Sequence, residues 1–243
     1  MIEIKDLYKN FGSKKVLQGV NLTIEKGETL VIIGRSGCGK SVLIKHIVGL
    51  LEPNSGYIKV EGKIVSDLTQ KELYELRKKF GVLFQGSALF DSMTVEENVG
   101  LPLVESKNDY LKSDIKKFVE EKLELVGLSG VLSLKPSELS GGMKKRVALA
   151  RALITNPSYI LYDEPTTGLD PIMSDSIDNL IKDLAEKLNV TSVVVTHDMY
   201  SVKNVADKVA MMNDGVIYFT SKPEELISST DKVIVDFIRR TEV

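Results

Sequence analysis

The fold is set by eight residues, Gly34-Arg35-Ser36-Gly37-Cys38-Gly39-Lys40-Ser41. The apolar run 30–33 before them predicts a buried strand, and residues 42–48 after them predict a helix. This strand–loop–helix order is the context in which the pattern G-x-x-x-x-G-K-[ST] binds nucleotide phosphates. Glycines let backbone N–H groups point inward, and the helix N-terminus adds partial positive charge. The stretch therefore predicts a phosphate site, and the alternative is a tight turn with a surface lysine.

Three side chains of this loop carry specific predictions. Lys40 is expected to supply a full positive charge for the β- and γ-phosphates, and Ser41 a hydroxyl for Mg²⁺. Cys38 is interpreted as a small loop residue, with a redox sensor as the alternative.

The composition limits the class of protein. The chain has 243 residues, 43% of them hydrophobic, which predicts one domain with a proper core. A net charge of −2 argues against a nucleic-acid binder that relies on bulk charge. The single cysteine excludes an internal disulfide and fits a reducing compartment. No apolar run reaches the roughly 18 residues of a membrane span, and the N-terminus has no signal-peptide character. We therefore expect a chain that is soluble by itself and needs a partner to hold it at a membrane.

The pattern of elements along the chain predicts its layout. Residues 1–28 alternate apolar and polar side chains, which favours antiparallel strands. Strands that later alternate with helices favour a mainly parallel α/β sheet. Within a single domain, 1–243, we expect a nucleotide-binding core that includes the β subdomain, a helical subdomain and a helical tail. The core is predicted to comprise residues 1–85 and 140–220, the helical subdomain residues 86–139 and the tail residues 221–243. Within the helical subdomain we expect a less regular segment at 86–108 and a helix from about Asp114 to Gly127.

Acidic and imidazole side chains follow two other predicted strands. Asp163 and Glu164 end the run 159–162, at the sheet edge where nucleotide sites form. Asp163 would hold Mg²⁺ and Glu164 would polarise the attacking water. The alternative is a solvated acidic pair before a proline turn. His197 follows a further apolar run, where a lone histidine is usually structural or exposed, and His46 is assigned to packing.

Ser140, Gly141 and Gly142 predict a helix start with free backbone N–H groups. Such a helix N-terminus attracts an anion, although in isolation the same residues fit a plain helix cap.

Taken together, these residues resemble the ATPase subunits of ABC transporters. The matches follow the family's order: Gly34 to Ser41 as Walker A, Gln85 as the Q-loop, 139–143 as the signature, 159–164 as Walker B, 168–170 as the D-loop, and His197 as the switch histidine. The resemblance implies a P-loop NTPase fold with an N-terminal antiparallel β subdomain and an inserted helical subdomain. It also implies ATP hydrolysis, with ATP and Mg²⁺ as cofactors.

The resemblance assigns roles to individual residues. The nucleotide-binding set it implies is Phe11, Val16, Gly34, Arg35, Ser36, Gly37, Cys38, Gly39, Lys40, Ser41, Val42, Ser140, Gly141 and Gly142. Within that set Phe11 would stack on adenine with Val16 beside it. The implied catalytic residues are Glu164, His197, Lys40 and Gln85, and the implied Mg²⁺ ligands are Ser41, Gln85 and Asp163.

The signature also implies a homodimer. Ser140, Gly141 and Gly142 would contact the γ-phosphate held by the opposite subunit, so that two chains close head-to-tail over two ATP molecules.

A narrower resemblance concerns the cargo. Met143 stands where many family members have glutamine, and the segments 84–99 and 141–146 resemble the ATPases of Mla/Mce-type lipid transporters. This resemblance implies phospholipid transport, a membrane permease, an Mce-type lipid-binding protein and a position on the cytoplasmic face of the inner membrane, without nucleic acid as a partner. The alternatives are an ATPase for amino acids or other small solutes, and a non-transport ABC ATPase.

Two apolar surfaces have open interpretations. Leu89, Phe90, Met93 and Val95 would form the groove for a permease helix or, alternatively, the core of the helical subdomain. The tail residues Ile234, Phe237 and Ile238 would pack on a second subunit or on their own domain.

Overall fold

The computed structural model describes residues 1–106 and 110–241. The strands in these ranges are β1 (Ile2–Phe11), β2 (Lys14–Ile24), β3 (Thr29–Ile33), β4 (Ser55–Val60), β5 (Lys63–Ile64), β6 (Phe80–Leu83), β7 (Tyr159–Asp163), β8 (Thr191–Thr196), β9 (Lys208–Asn213) and β10 (Val216–Ser221). They form a four-stranded sheet in the order β2-β1-β4-β5 and a six-stranded sheet in the order β10-β9-β3-β8-β7-β6.

The four-stranded sheet is antiparallel, as the alternation in residues 1–28 predicts. Ile2 of β1 pairs with Ile24 of β2, and Ile4 pairs with Leu22. All four side chains are buried, so one face of this sheet packs into the core and the other is open to solvent.

The six-stranded sheet is parallel except for β10, which pairs antiparallel with β9. Every residue of β3 is buried, which agrees with its continuous apolar sequence. Because the carboxyl ends of parallel strands meet at one edge, the segments that follow β3, β6, β7 and β8 converge there. The predicted mainly parallel α/β sheet is confirmed.

The helices in the described ranges are α1 (Lys40–Ile47), α2 (Gln70–Arg77), α3 (Val95–Val104), α4 (Lys112–Leu125), α5 (Gly141–Leu153), α6 (Pro171–Leu188), α7 (Met199–Val205), α8 (Pro223–Ile227) and α9 (Lys232–Thr241). The predicted helix start at Ser140 is confirmed. Thr69 and Glu72 form a capping box on α2, while Ser140 caps α5 and Asp170 caps α6. Over residues 1–106 and 110–241, no helix is both long and apolar enough to span a bilayer.

The segment 86–108, predicted to be less regular, instead contains α3. Thr94 and Glu97 cap this helix reciprocally. The sequence does not predict this helix because Gly100 and Pro102 lie inside it, and both residue types disfavour helices. Gly100 has a packing reason, since a Cβ there would lie 2.9 Å from Ile115 of α4. The end of that segment, residues 107–108, lies outside the described residues, as do residues 242–243 of the tail.

One cluster of buried side chains joins the parallel sheet to the inserted helices and to the tail. It includes Val31 of β3, Val99 of α3 and Val119 of α4, together with Ile234 and Phe237 of α9. Ile234 and Phe237 therefore pack on their own domain, which is the alternative interpretation, and a contact with a second subunit stays a prediction for the partly buried Ile238. The residue limits of the subdivisions also stay a prediction.

A buried carboxyl group between α6 and α7 predicts a pH-dependent stability. Asp178 is fully buried and accepts a 2.8 Å hydrogen bond from Ser201 Oγ. Burial raises the pKa of its carboxyl from 3.8 to about 6. A folded-state pKa above the unfolded value means that the group's contribution to stability is present below about pH 4 and is lost as the pH rises through about 6. Asp178→Asn, which cannot ionise, should therefore raise the melting temperature at pH 8 and do so much less at pH 4.5.

Thermal unfolding of both proteins across this pH range measures the effect. The matched control is Asp183→Asn on the exposed face of α6, where a surface ion pair with Lys187 contributes little. An equal shift for Asp178→Asn at both pH values would contradict the account.

Candidate functional site

A cavity of about 390 Å³ opens at the carboxyl edge of the parallel sheet. Its lining consists of Arg35, Ser36, Gly37, Lys40, Ser41, Gln85, Glu164, His197, Phe237, Arg240 and Thr241. The structure thus brings the glycine loop together with three predicted catalytic side chains that lie far apart in the sequence. The last three lining residues come from α9 and were not predicted to be there.

The glycine loop lies tightly against β9 and β2. A Cβ on Gly34 would lie 2.3 Å from Met212 O, so only glycine fits there. Gly39 has a φ of 112° and is the N-cap of α1, without a side chain to satisfy the first N–H groups. These N–H groups are available to an anion. Lys40 is 6% exposed, and its Nζ donates to Gly34 O at 2.8 Å and to Arg35 O at 3.2 Å, which places the charge over the loop.

The residues predicted to bind Mg²⁺ are neighbours. Ser41 Oγ donates to Asp163 Oδ1 at 2.7 Å. A hydroxyl and a carboxylate supply the hard oxygen ligands that Mg²⁺ prefers, and further positions are commonly filled by water and substrate phosphate. Gln85 lines the same cavity and is exposed. These residues fit a magnesium ion.

The Glu164 carboxylate is held from several sides. His197 Nδ1 lies 2.8 Å from Oε2, and Thr167 Oγ1 donates to the same oxygen at 3.1 Å. Lys40 Nζ lies 3.7 Å from Oε1. The backbone of Glu164 has a φ of 51°, a left-handed conformation that is uncommon for this residue type, and its N–H donates to Val195 O at 2.8 Å. Such over-determined strain is concentrated at functional sites, here aiming a carboxylate into the cavity.

The two histidines differ sharply. The His197 side chain is 57% exposed at the cavity while its Nδ1 is engaged by Glu164, so the rest of the ring can meet a phosphate. His46 is 1% exposed and its Nδ1 donates to Val42 O at 2.7 Å. Burial lowers the pKa of His46, which keeps it neutral and agrees with a packing role.

The predicted adenine side lies beside the loop. Phe11 ends β1 and is 48% exposed, with Lys9 Nζ 5.4 Å from its ring centroid. Val16 lies on the neighbouring strand β2, and a Cβ added to Gly39 would be 3.0 Å from the Val16 carbonyl oxygen. The hairpin therefore touches the phosphate loop. Burial raises the pKa of the Cys38 thiol, which favours the less reactive protonated form and an inert loop residue.

The signature residues lie outside this cavity. Ser140 Oγ accepts a hydrogen bond from the Met143 N–H at 3.2 Å. Gly142 lies close to α6, because a Cβ added to Gly142 would be 3.2 Å from the Met173 side chain. Within the described ranges, none of Ser140, Gly141 and Gly142 lines the cavity. One folded chain thus separates the helix N-terminus of α5 from its own phosphate loop.

Lys145 is a site residue that sequence reasoning missed. It is 5% exposed on α5, and its Nζ donates to Gln85 O and, at 3.4 Å, to Glu164 O. Arg151, farther along α5, donates to Ser87 O and Ala88 O at 2.9 and 2.8 Å. α5 therefore fixes the backbone at both Gln85 and Glu164. The sequence gives no sign of this, because most helical lysines face solvent.

A second cavity, of about 620 Å³, lies between α2, β6, α3 and α5. Its lining includes Phe84, Phe90, Leu101, Pro102 and Arg151. Of the four residues predicted to form a groove, Phe90 lines this cavity and is 50% exposed, whereas Val95 is fully buried in the core. Leu89 and Met93 are partly buried and do not line this cavity. The predicted groove was therefore wrong for Val95, which follows the alternative interpretation, and it stays a prediction for Leu89 and Met93.

The chain is similar to known transport proteins along almost its whole length. Residues 17–167 match the ABC transporter domain family. The probable ribonucleotide transport ATP-binding protein mkl of Mycobacterium leprae is 42% identical over 98% of this chain and 68% of its own length. The intermembrane phospholipid transport system ATP-binding protein MlaF of Haemophilus influenzae is 42% identical over 98% of this chain and 90% of its own. The methionine import ATP-binding protein MetN of Clostridioides difficile is 44% identical over 96% of this chain and 72% of its own length.

A solved structure agrees with these sequence relatives. The dimeric post-hydrolysis state of the ATP-binding cassette MJ0796, bound to ADP and Pi, matches with a TM-score of 0.84 at 35% identity, covering 92% of this chain and 99% of that chain. Family, relatives and fold agree with the cavity geometry. The chain therefore belongs to the ABC transporter family, among its ATP-hydrolysing ATP-binding subunits.

Proposed function

We propose that this chain binds Mg·ATP in the 390 Å³ cavity, hydrolyses it as one half of a homodimer, and drives a membrane permease that moves phospholipid. One observation supports the catalytic part most strongly. Lys40, Ser41 and Glu164 converge with His197 at one sheet edge, although they come from three separate segments of the sequence.

The chain's own residues suit this reaction. Lys40 and the N–H groups of the loop would balance negative charge on the β- and γ-phosphates. Ser41 and Asp163 would hold Mg²⁺, which neutralises charge on the phosphate oxygens when bound. Glu164 would accept the proton of the attacking water, and its bond to His197 keeps the carboxylate in position. Gln85 would orient that water.

A dimer accounts for the separated signature. Because Ser140, Gly141 and Gly142 lie outside the cavity of their own chain, they would serve the γ-phosphate of a second chain. The similar cassette MJ0796 is described as dimeric, which supports the same arrangement here. Phe11 and Val16 would receive the adenine.

The 620 Å³ cavity would receive a cytoplasmic helix of the permease and so place this chain on the cytoplasmic face of the membrane. It is mainly apolar, as a groove for an amphipathic helix requires. Asn98 fixes Phe90 at its rim, accepting from the Phe90 N–H at 2.8 Å and donating to its carbonyl at 3.1 Å.

Phospholipid is the proposed cargo, and an Mce-type lipid-binding protein a proposed further partner. The name of the MlaF relative supports this proposal, as does the resemblance of Met143 and the residues around it to the ATPases of lipid transporters. Amino-acid import is the second candidate, because a MetN relative is similarly identical.

Replacement of Glu164 tests the hydrolytic proposal. Glu164→Gln keeps the size of the side chain but removes the base, so we expect ATP turnover to fall by at least about a hundredfold while ATP binding and an ATP-stabilised dimer remain. Steady-state hydrolysis and light scattering with ATP measure the two effects. The matched control is Glu186→Gln, at an exposed position on α6. Hydrolysis near the wild-type rate in Glu164→Gln would rule out Glu164 as the base.

Lys145 is predicted to position the catalytic residues without touching the nucleotide. Lys145→Met leaves two backbone carbonyls without their donor, so we expect kcat to fall about tenfold while KM for ATP changes by less than about threefold. Lys145→Arg should restore part of kcat, and the neighbouring Lys144→Met should behave as wild type. An unchanged kcat in folded Lys145→Met would contradict this role.

Co-purification tests partner and cargo together. The tagged chain, extracted gently from membranes of its native host, should bring a multispanning permease, a membrane-anchored Mce-like protein and bound phospholipid. Phe90→Asp places a charge in the apolar cavity and should lose the permease. Leu50→Asp, at a side chain of similar exposure outside the cavity, should retain it.

Each alternative has its own result. A permease accompanied by a soluble solute receptor would replace phospholipid with a small polar cargo. The absence of any membrane protein would contradict the transport proposal.

A further inference from the structure

The C-terminal helix α9 forms one wall of the nucleotide cavity. Phe237, Arg240 and Thr241 line that cavity together with the phosphate loop. Thr241 also lines a second depression with Gly168, Leu169 and His197. The end of α9 therefore lies between the loop that would bind ATP and the segment after β7.

The helix is held firmly in this place. Ile234 and Phe237 are 1% and 2% exposed within the main core. Asp231 caps the start of α9 by accepting from the Val233 N–H at 2.8 Å, and Tyr218 of β10 donates to the same carboxylate at 2.9 Å. Because the buried face and the cap fix the helix axis, they also fix where Arg240 stands.

The charges around the cavity single out Arg240. Among the described lining residues the acid is Glu164, and the cations are Arg35, Lys40 and Arg240. Lys40 already lies 3.7 Å from Glu164. Neither Arg35 nor Arg240 has a hydrogen-bond or ion-pair partner for its guanidinium in the described part of the chain. Within the described residues the Arg240 guanidinium is therefore unpaired, and it lines the same cavity as the phosphate loop and Lys40.

We propose that Arg240 is a phosphate ligand, supplied by the C-terminal helix to the nucleotide bound in its own chain. A guanidinium forms paired N–H···O bonds with phosphate oxygens, which a lysine cannot copy in geometry. Arg35 and Lys40 would approach the phosphates from the loop, and Arg240 from α9. This inference rests on the proposed ATP function and adds a ligand that lies outside the motifs of the family.

The test is nucleotide binding by the full-length chain and its variants. Isothermal titration with Mg·AMP-PNP, a non-hydrolysed ATP analogue, and with AMP gives dissociation constants that separate phosphate from adenine contacts. Arg240→Ala should weaken AMP-PNP binding about tenfold and AMP binding by less than about twofold. Arg240→Lys should fall between Arg240→Ala and wild type. The loss of AMP-PNP affinity in Arg240→Ala should be smaller in high salt, because the Arg240 guanidinium is exposed and salt screens its charge.

The neighbouring Arg239 provides the matched control. It is exposed on the same helix turn but does not line the cavity, so Arg239→Ala should bind AMP-PNP as wild type does. Both substitutions are at exposed positions, and thermal unfolding checks that each variant is folded.

Two results would overturn the proposal. Arg240→Ala that binds AMP-PNP like Arg239→Ala would show that Arg240 is no ligand, while leaving ATP binding intact. Tighter binding by Arg240→Ala would mean that α9 obstructs the site instead of contributing to it. Failure of the wild-type chain to bind AMP-PNP would contradict the proposed function itself and is therefore a distinguishable outcome.

Discussion

The parallel pairing of β3, β8 and β7 is the constraint on which the site depends. Ile33 pairs with Thr196, and Asp163 pairs with Val195, so three strands end at the same level. This register places the phosphate loop, the acidic pair and His197 at one edge without any long-range adjustment. A one-residue shift of β7 would turn Asp163 away from Ser41 and break their 2.7 Å hydrogen bond.

The polar contacts at this edge make one connected network. Lys40 and His197 both reach the Glu164 side chain, while Lys145 holds its carbonyl. Since Lys145 also holds Gln85, α5 joins its own N-terminus, which would serve a second chain, to two residues of the hydrolytic site. In the proposed dimer, this helix would transmit the approach of a second subunit to the Glu164 carboxylate.

Motif order and strand patterns were sufficient to predict the sheet, the cap at the start of α5 and the convergence of the loop with Gln85, Glu164 and His197. These features depend on local signals, such as the apolar run of β3 and the cap at Ser140. The helix α3 escaped prediction because Gly100 and Pro102 obscure its periodicity, and Gly100 is explained only by its contact with α4.

The other features that the sequence did not predict depend on how distant parts of the chain pack together. A lysine on a helix is usually solvated, so nothing in the sequence separates the buried Lys145 from Lys144. The amphipathic pattern of α9 predicted a buried face but not the surface that covers it. Only the folded chain shows that Phe237 reaches the main core and that Arg240 consequently borders the phosphate loop.

The central claim is that each catalytic site is completed by a second chain. Mixing two inactive variants tests it most directly: Lys40→Ala, which damages the phosphate loop, and Ser140→Arg, which blocks the signature helix. If the sites are shared, a mixed dimer contains one intact site. Half of the dimers in an equimolar mixture are mixed, so hydrolysis should return to about a quarter of the wild-type rate per chain. A mixture no more active than the two variants alone would contradict the account.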